Sequence, residues 1–364
     1  VSASPDPVEA ISQRLDIFVS AQRLLSADLG AEAALFIEAA AAAVTGGKRL
    51  RGRFCVAGWR AVEEADRPAG PPPAEVVAAA AALEIFHAAA LVHDDIIDNS
   101  DTRRGRPAAH RALEESHRRS AWAGDAAAFG RSSAILLGDL LVAWSDDLFE
   151  EGLALAQMKP ASTARSEYAA MRREVTIGQF LDVAEESAFR TEPDERHAER
   201  ALRVASLKSA RYSIQQPLAI GAALAGADAA QTAALAAFGH PVGMAFQLRD
   251  DVLGVFGDER ETGKPSGDDL REGKRTVLIA YARESLAPPA RRIVDEMLGD
   301  PGLQPDQIAA LQRTIVESGA LERVESLIAD YAREAERALS GVRLGNAAVG
   351  ELRDLARAAT VRVT

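Results

Sequence analysis

Cysteine is all but absent from this chain. Cys55 is the only one, so no intrachain disulfide is available, and a reducing cytoplasm is the expected compartment. Aromatic residues reach only 5%, and stretches in which Val, Ile, Thr and Tyr alternate with polar residues are scarce, which argues against a sheet-based architecture. Long basic blocks are missing from a sequence of formal charge −12, so no nucleic-acid partner is indicated and an anionic ligand would need a local cluster of cations. Apart from alanine-rich stretches broken by Glu, His or Asp, no run of about eighteen apolar residues occurs, so no membrane span is expected. The opening VSASPDPVEA lacks the basic and apolar regions of a signal peptide, and none is expected.

What the sequence does have is alanine in helical runs. With 364 residues and 48% hydrophobic content it can bury a large core, and the periodicity predicts an all-α fold. Two helices are expected over residues 6–45, parting near Gly30, and another follows Gly46-Gly47-Lys48-Arg49-Leu50-Arg51 to about residue 65. After the Pro/Gly loop 66–73, a long helix is expected from 74 to about 100. Two more cover 107–128 and 130–158 with a break near Gly130, and one covers 163–188 with Gln179 and Asp182. A turn at TEPDERH leads into SLKSARYSIQQPL, where Lys208 sits among apolar residues. Four or five helices account for 275–364, and Cys55 is expected in the core.

Chemistry concentrates in HAAALVHDDIIDNSDTRRGRP, residues 87–107. An apolar helix there ends in Asp94, Asp95 and Asp98, with Asp101 one turn on; continued helix would put all four on one broad face. Like charges so placed repel, and an oxygen-only donor set suits a hard cation such as Mg²⁺, which takes one or two carboxylates plus substrate phosphates. His87 lies two turns earlier on that face, about 10.5 Å away. The glycines before Lys48 and Arg51 leave backbone N–H groups and a helix dipole facing an anion. FQLRDDVLGVFGDERETGKPSGDDLREGKRT, residues 246–276, repeats the theme: Gln247, Asp250 and Asp251 end an apolar helix, followed by Lys264, Asp268, Asp269 and Lys274.

Together these segments resemble the trans-polyprenyl diphosphate synthases, the head-to-tail prenyltransferases, and are closest in character to geranylgeranyl diphosphate synthases. GGKRLR is similar to their GGKxxR element, with Gly52 where a proline is common; ALEIFHAAALVHDDIIDNSDTRRGRP is similar to their first Asp-rich helix, SLKSARYSIQQPL to their lysine segment, and 246–276 to their second Asp-rich region. The last departs at Gly254, where a third aspartate would stand. The resemblance implies a single helical domain over 1–364 with residues 1–7 flexible, long antiparallel helices around a central cavity, and a homodimer. It also implies two Asp-rich motifs facing each other and holding three Mg²⁺ on an allylic diphosphate. Asp94, Asp98 and Asp250 would be metal ligands, with Asp95 and Asp251 supporting them in catalysis. Arg103, Lys208, Gln247, Lys264 and Lys274 would contact the allylic diphosphate or its metals, and Lys48, Arg51, His87 and Arg104 would hold isopentenyl diphosphate.

Product length in such enzymes depends on how far the tail runs below the first Asp-rich motif. Ala89 and Ala90, about one turn before Asp94, are expected to line that tunnel, with Phe86 and Trp144 as candidate floors or plain core residues. Two methyls there disfavour farnesyl and favour geranylgeranyl diphosphate, with longer products as the alternative. Two rival readings remain: a class I terpene cyclase, which would not use the Lys48, Arg51, His87, Arg104 set, and a di-iron bundle, for which Glu84/His87 and Glu114/His117 supply the spacing.

Overall fold

The computed structural model describes residues 6–68, 70–103, 105–258 and 266–360. Arg104, Lys264 and residues 1–5 of the stretch expected to be flexible lie outside the described residues. The all-α expectation holds: among the described residues the only strands are β1 (Thr102–Arg103) and β2 (Arg106–Pro107), an antiparallel pair of two residues each. Contacts group the chain into two compact units, residues 1–165 with 220–227 and residues 166–219 with 228–364.

The first unit carries α1 (Pro7–Leu25), α2 (Ala31–Val44), α3 (Leu50–Glu63), α4 (Ala74–Ile97), α5 (Ala109–Arg119) and α6 (Ala126–Leu153). Asp6 starts α1 by accepting from the Val8 amide at 3.0 Å ahead of Pro7, a cap contributing about 1 kcal/mol. Its centre is α4, whose many alanines let neighbouring backbones come close. An added Cβ on Gly52 of α3 would stand 3.2 Å from the Ala80 carbonyl, and one on Gly152 of α6 2.9 Å from Ala78. On the same side as Gly152, the Ser145 hydroxyl of α6 donates to the Ala82 carbonyl at 2.7 Å.

Two boundaries differ from expectation. The long helix stops at Ile97, because Asn99 adopts the left-handed conformation (φ 52°) and the Ser100 amide turns back to the Asp95 carbonyl at 2.9 Å, a Schellman-type ending. Asp98 therefore caps the helix, and Asp101 leaves the acidic face to accept from Arg111 Nε at 2.7 Å. The break expected at Gly130 lies at 120–125 instead. Asp125 caps α6 through the Ala127 and Ala128 amides, while Gly130 sits inside the helix against the His110 carbonyl, where a side chain would collide. Cys55 is fully buried, as expected, and burial pushes its thiol up to about 12.

In the second unit lie α7 (Met158–Ala188) from residue 166 onward, α8 (His197–Val204), an eleven-residue π-helical segment (Ala205–Gln215) and α10 (Ala229–Phe256); α9 (Gln216–Leu224) separates the last two in the chain. Then come α11 (Asp268–Glu272), α12 (Val277–Ser285), α13 (Pro288–Met297), α14 (Pro305–Glu317), α15 (Ala320–Ala338) and α16 (Asn346–Thr360). A reciprocal capping box between Asp228 and Gln231 opens α10. Val277, Leu278 and Val324 are fully buried in this unit's core, at about 1.5–3 kcal/mol each as an upper bound.

Candidate active site

The repeat of about 3.6 residues sorts the side chains of α4 onto three lines. Ala78, Ala82, Ala89 and His93 fall on the side of α6; Ala80, Glu84 and Asp95 fall on the side of α3. His87, Ala90, Asp94 and Asp98 form the third line, and all four are half-buried, which places this line where a ligand can reach it. Asp95 differs from its neighbours in being only 3% exposed. Arg103 Nε donates to its carboxylate at 2.8 Å and Nη2 reaches Asp94 Oδ2 at 3.4 Å, so β1 is tied to the acidic end of α4.

At the start of α3, Gly46 and Gly47 have positive φ and Arg49 is left-handed at φ 50°, its guanidinium donating to the Val44 carbonyl at 3.0 Å. Lys48 is exposed and Arg51 buried. Buried Glu84 accepts the Gly52 amide at 2.9 Å, a bond a proline at 52 could not make. Glycine there is thus matched to Glu84. On the other side of α4, Gly138 leaves room for the His93 ring, whose Nε2 lies 3.2 Å from the Ile135 carbonyl and 3.5 Å from Asp139.

In the second unit, Lys208 rides on the π segment and pairs with Asp182 of α7 at 2.6 Å, so it is held by an anion rather than snorkelling. Glycines allow the approach: a Cβ on Gly178 would lie 2.4 Å from the Lys208 amide, and one on Gly243 2.4 Å from the Ala210 carbonyl. At the end of α10, Gln247 donates to Asp251 at 2.7 Å, while Asp250 is exposed. Burial, the nearby Asp269 and then Asp250 and Asp182 push the Asp251 carboxyl well above the usual range, against the opposing hydrogen bond from Gln247. Lys274 lies 3.5 Å from Asp269 and 2.6 Å from Glu272.

Among the described residues no three His, Cys, Asp or Glu side chains converge as a ready-made metal cage. Crowded carboxylates that lack a closed protein shell are a donor set that fits Mg²⁺, which keeps positions for phosphate and water. The di-iron reading does not fit: Glu114 is taken by Arg111 and Arg118, and His117 packs between Trp122 and Phe129 with Nε2 at 3.2 Å from the Ala123 carbonyl. Both residues are buried. Trp144 is core, edge-on to Phe18 at 5.9 Å. Sequence reasoning attached no role to Asp182 or Asp269, and Glu84 entered it only as a di-iron candidate.

The polyprenyl synthetase family matches residues 34–315, a span that contains all of these groups. The chain belongs to that family. It is 32% identical over 314 residues to a geranylfarnesyl diphosphate synthase of Aeropyrum pernix, covering 85% of this chain and 88% of the relative. A short chain isoprenyl diphosphate synthase of Methanocaldococcus jannaschii is 32% identical over 64% of each chain, so the match spans just under two thirds of that relative. The crystal structure of geranylgeranyl pyrophosphate synthase from Corynebacterium glutamicum, complexed with isoprenyl diphosphate and magnesium, superposes at a TM-score of 0.91 with 38% identity over 98% of both chains. The protein is a trans-prenyltransferase with the all-α fold of isoprenyl synthases.

Proposed function

We propose that this polyprenyl synthetase condenses isopentenyl diphosphate head to tail with an allylic diphosphate and releases mainly geranylgeranyl diphosphate. The observation that carries the reading is the half-buried line His87, Ala90, Asp94, Asp98 on α4, whose two carboxylates end a helix that is otherwise apolar. The likeness to the Corynebacterium synthase supports the product, and the methyl side chain of Ala90, on the line of Asp94, leaves room for a tail longer than farnesyl.

Asp94, Asp98 and Asp250 are assigned to three Mg²⁺ ions, which when bound supply positive charge to the departing diphosphate. Arg103, fixed by Asp95, orients the carboxylate of Asp94 and meets the same diphosphate. Lys208 exchanges Asp182 for a diphosphate oxygen, and Gln247, Lys264 and Lys274 complete the donors on that substrate. Lys48, Arg51, His87 and Arg104 hold isopentenyl diphosphate. The allylic C–O bond breaks, the homoallylic double bond attacks the carbocation, and a proton leaves to the freed diphosphate. Fixed charges favour the separation in the transition state, and an apolar surround spares the cation from water. No protein nucleophile is involved.

Ile135 and Leu136 stand 48% and 60% exposed on α6, an apolar stripe that supports assembly as a homodimer. A cytoplasmic location accords with the single buried cysteine. Incubation with isopentenyl diphosphate and each short allylic diphosphate, followed by sizing of the products, tests the assignment. Geranylgeranyl diphosphate as the main product is expected; farnesyl or much longer products would replace the length assignment, and cyclic hydrocarbons would replace the reaction.

A further inference from the structure

Within the second unit a buried group of charges takes no part in the chemistry assigned above. Phe189 stands directly after α7, and its ring lies under the Arg275 guanidinium at 3.4 Å and near that of Arg283 at 5.4 Å. Asp295 of α13 holds both arginines: it accepts Arg283 Nε at 2.8 Å and Nη2 at 3.0 Å, and Arg275 Nη1 at 2.7 Å. The remaining Arg283 nitrogen, Nη1, lies 3.2 Å from Asp194 and donates to His197 Nδ1. A guanidinium has no acceptor, so the His197 proton is on Nε2, which donates to the Phe189 carbonyl at 3.0 Å. Phe189 and Arg283 are 6% exposed and His197 8%.

Stability alone does not call for ions here. Desolvation offsets the attraction of buried ion pairs, and apolar side chains of similar volume would pack as well. What the charges add is direction. The Arg283 fork meets Asp295 through both oxygens and its third nitrogen orients the imidazole, so the side chains fit together in one arrangement. The chain segments they join all lead to groups assigned to the allylic diphosphate. Phe189 follows the helix of Asp182, the partner of Lys208. His197 opens α8, which runs without a break into the π segment that carries Lys208. Arg275 follows Lys274 in the chain.

We infer that Phe189, His197, Arg275 and Arg283 are positioning residues, a buried clamp that sets Lys208 and Lys274 for one diphosphate. This rests on the reading that both lysines contact the allylic diphosphate. None of the four belongs to the unit that carries Lys48, Arg51 and His87, so loosening the clamp acts on one substrate and spares the other.

The test is titration calorimetry of the full chain with geranyl diphosphate and Mg²⁺, and separately with isopentenyl diphosphate, so that neither substrate can react. His197→Leu and Phe189→Leu are each expected to raise the Kd for geranyl diphosphate about tenfold or more and to leave that for isopentenyl diphosphate within about twofold. His197→Gln, which keeps an acceptor and a donor in one planar group, should recover most of the loss. Circular dichroism shows that each variant is folded, and if His197→Leu does not fold Phe189→Leu decides. A lowered Tm with both Kd values unchanged, or an equal rise in both, overturns the clamp while the functional reading stands. A parent that does not bind geranyl diphosphate overturns both.

Discussion

At the scale of single residues, the carboxylates that end α4 and α10 carry the chemistry. Asp94→Ala and Asp250→Ala are each expected to abolish turnover with helical content unchanged. Activity within about tenfold of the parent, less than ~1.4 kcal/mol of transition-state stabilisation, would contradict their assignment. A second residue gives a pH signature. His110 is 3% exposed, and burial, helped by Arg111, holds its imidazole below the ordinary value against the pull of Asp95, Asp101 and Glu114. The unfolded chain therefore takes up this proton first, so stability is present above pH 6.5 and is lost as pH falls through that value toward the folded pKa. His110→Leu should flatten the decline of Tm on acidification, and an unchanged slope would show that other groups carry it. At this scale the sequence was legible where residue type alone carries chemistry, as at Asp94, Lys208 or Gln247. It was not legible where chemistry depends on a partner far along the chain: nothing near Gly52 announces Glu84.

Elements were legible where periodicity and caps agree, as in α1 with its Asp6-Pro7 start and in the five helices that follow residue 276. They were misread where a glycine does something other than stop a helix. Gly130 is an approach point and not a break, and Asp101 lies beyond a helix that Asn99 ends. The π segment carries no sequence signature, because a widened turn is stabilised by what packs on it. Gly178 of α7 and Gly243 of α10 each meet its backbone where a methyl would collide, and Gly239 lets Gln215 approach. The segment sets the position from which Lys208 reaches Asp182. Gly178→Ala should therefore act on activity beyond its effect on stability: about 1–3 kcal/mol from overpacking, together with a rise in KM for the allylic substrate as Lys208 is displaced. A variant with lowered Tm and unaltered KM would show that the π segment is only structural.

For the whole molecule, composition was enough for the all-α class, and four ordered segments for the family. The alanine-rich stretches set apart in the sequence are two long helices. Ala74–Ile97 and Ala126–Leu153 are both long and apolar enough to cross a membrane by length and composition, because alanine dilutes the charges that break the runs. The first is largely buried within its unit, whereas only 28% of the corresponding window of the second is. Product length also belongs to this scale. Ala89 is 1% exposed on the side of α6, while Ala90 is half-buried on the line of Asp94. Ala90→Phe is expected to shorten the main product by one isoprene unit or more with turnover retained, and Ala89→Phe to lower Tm instead; an unchanged profile for an active Ala90→Phe would move the tunnel elsewhere. The most direct test of the central assignment is the rate of diphosphate release by the purified protein given isopentenyl diphosphate and geranyl diphosphate, together and singly, with and without Mg²⁺. Release that requires both substrates and the metal, and that yields a longer linear prenyl diphosphate, is the predicted result. Release from the allylic substrate alone, at the same rate, would contradict it.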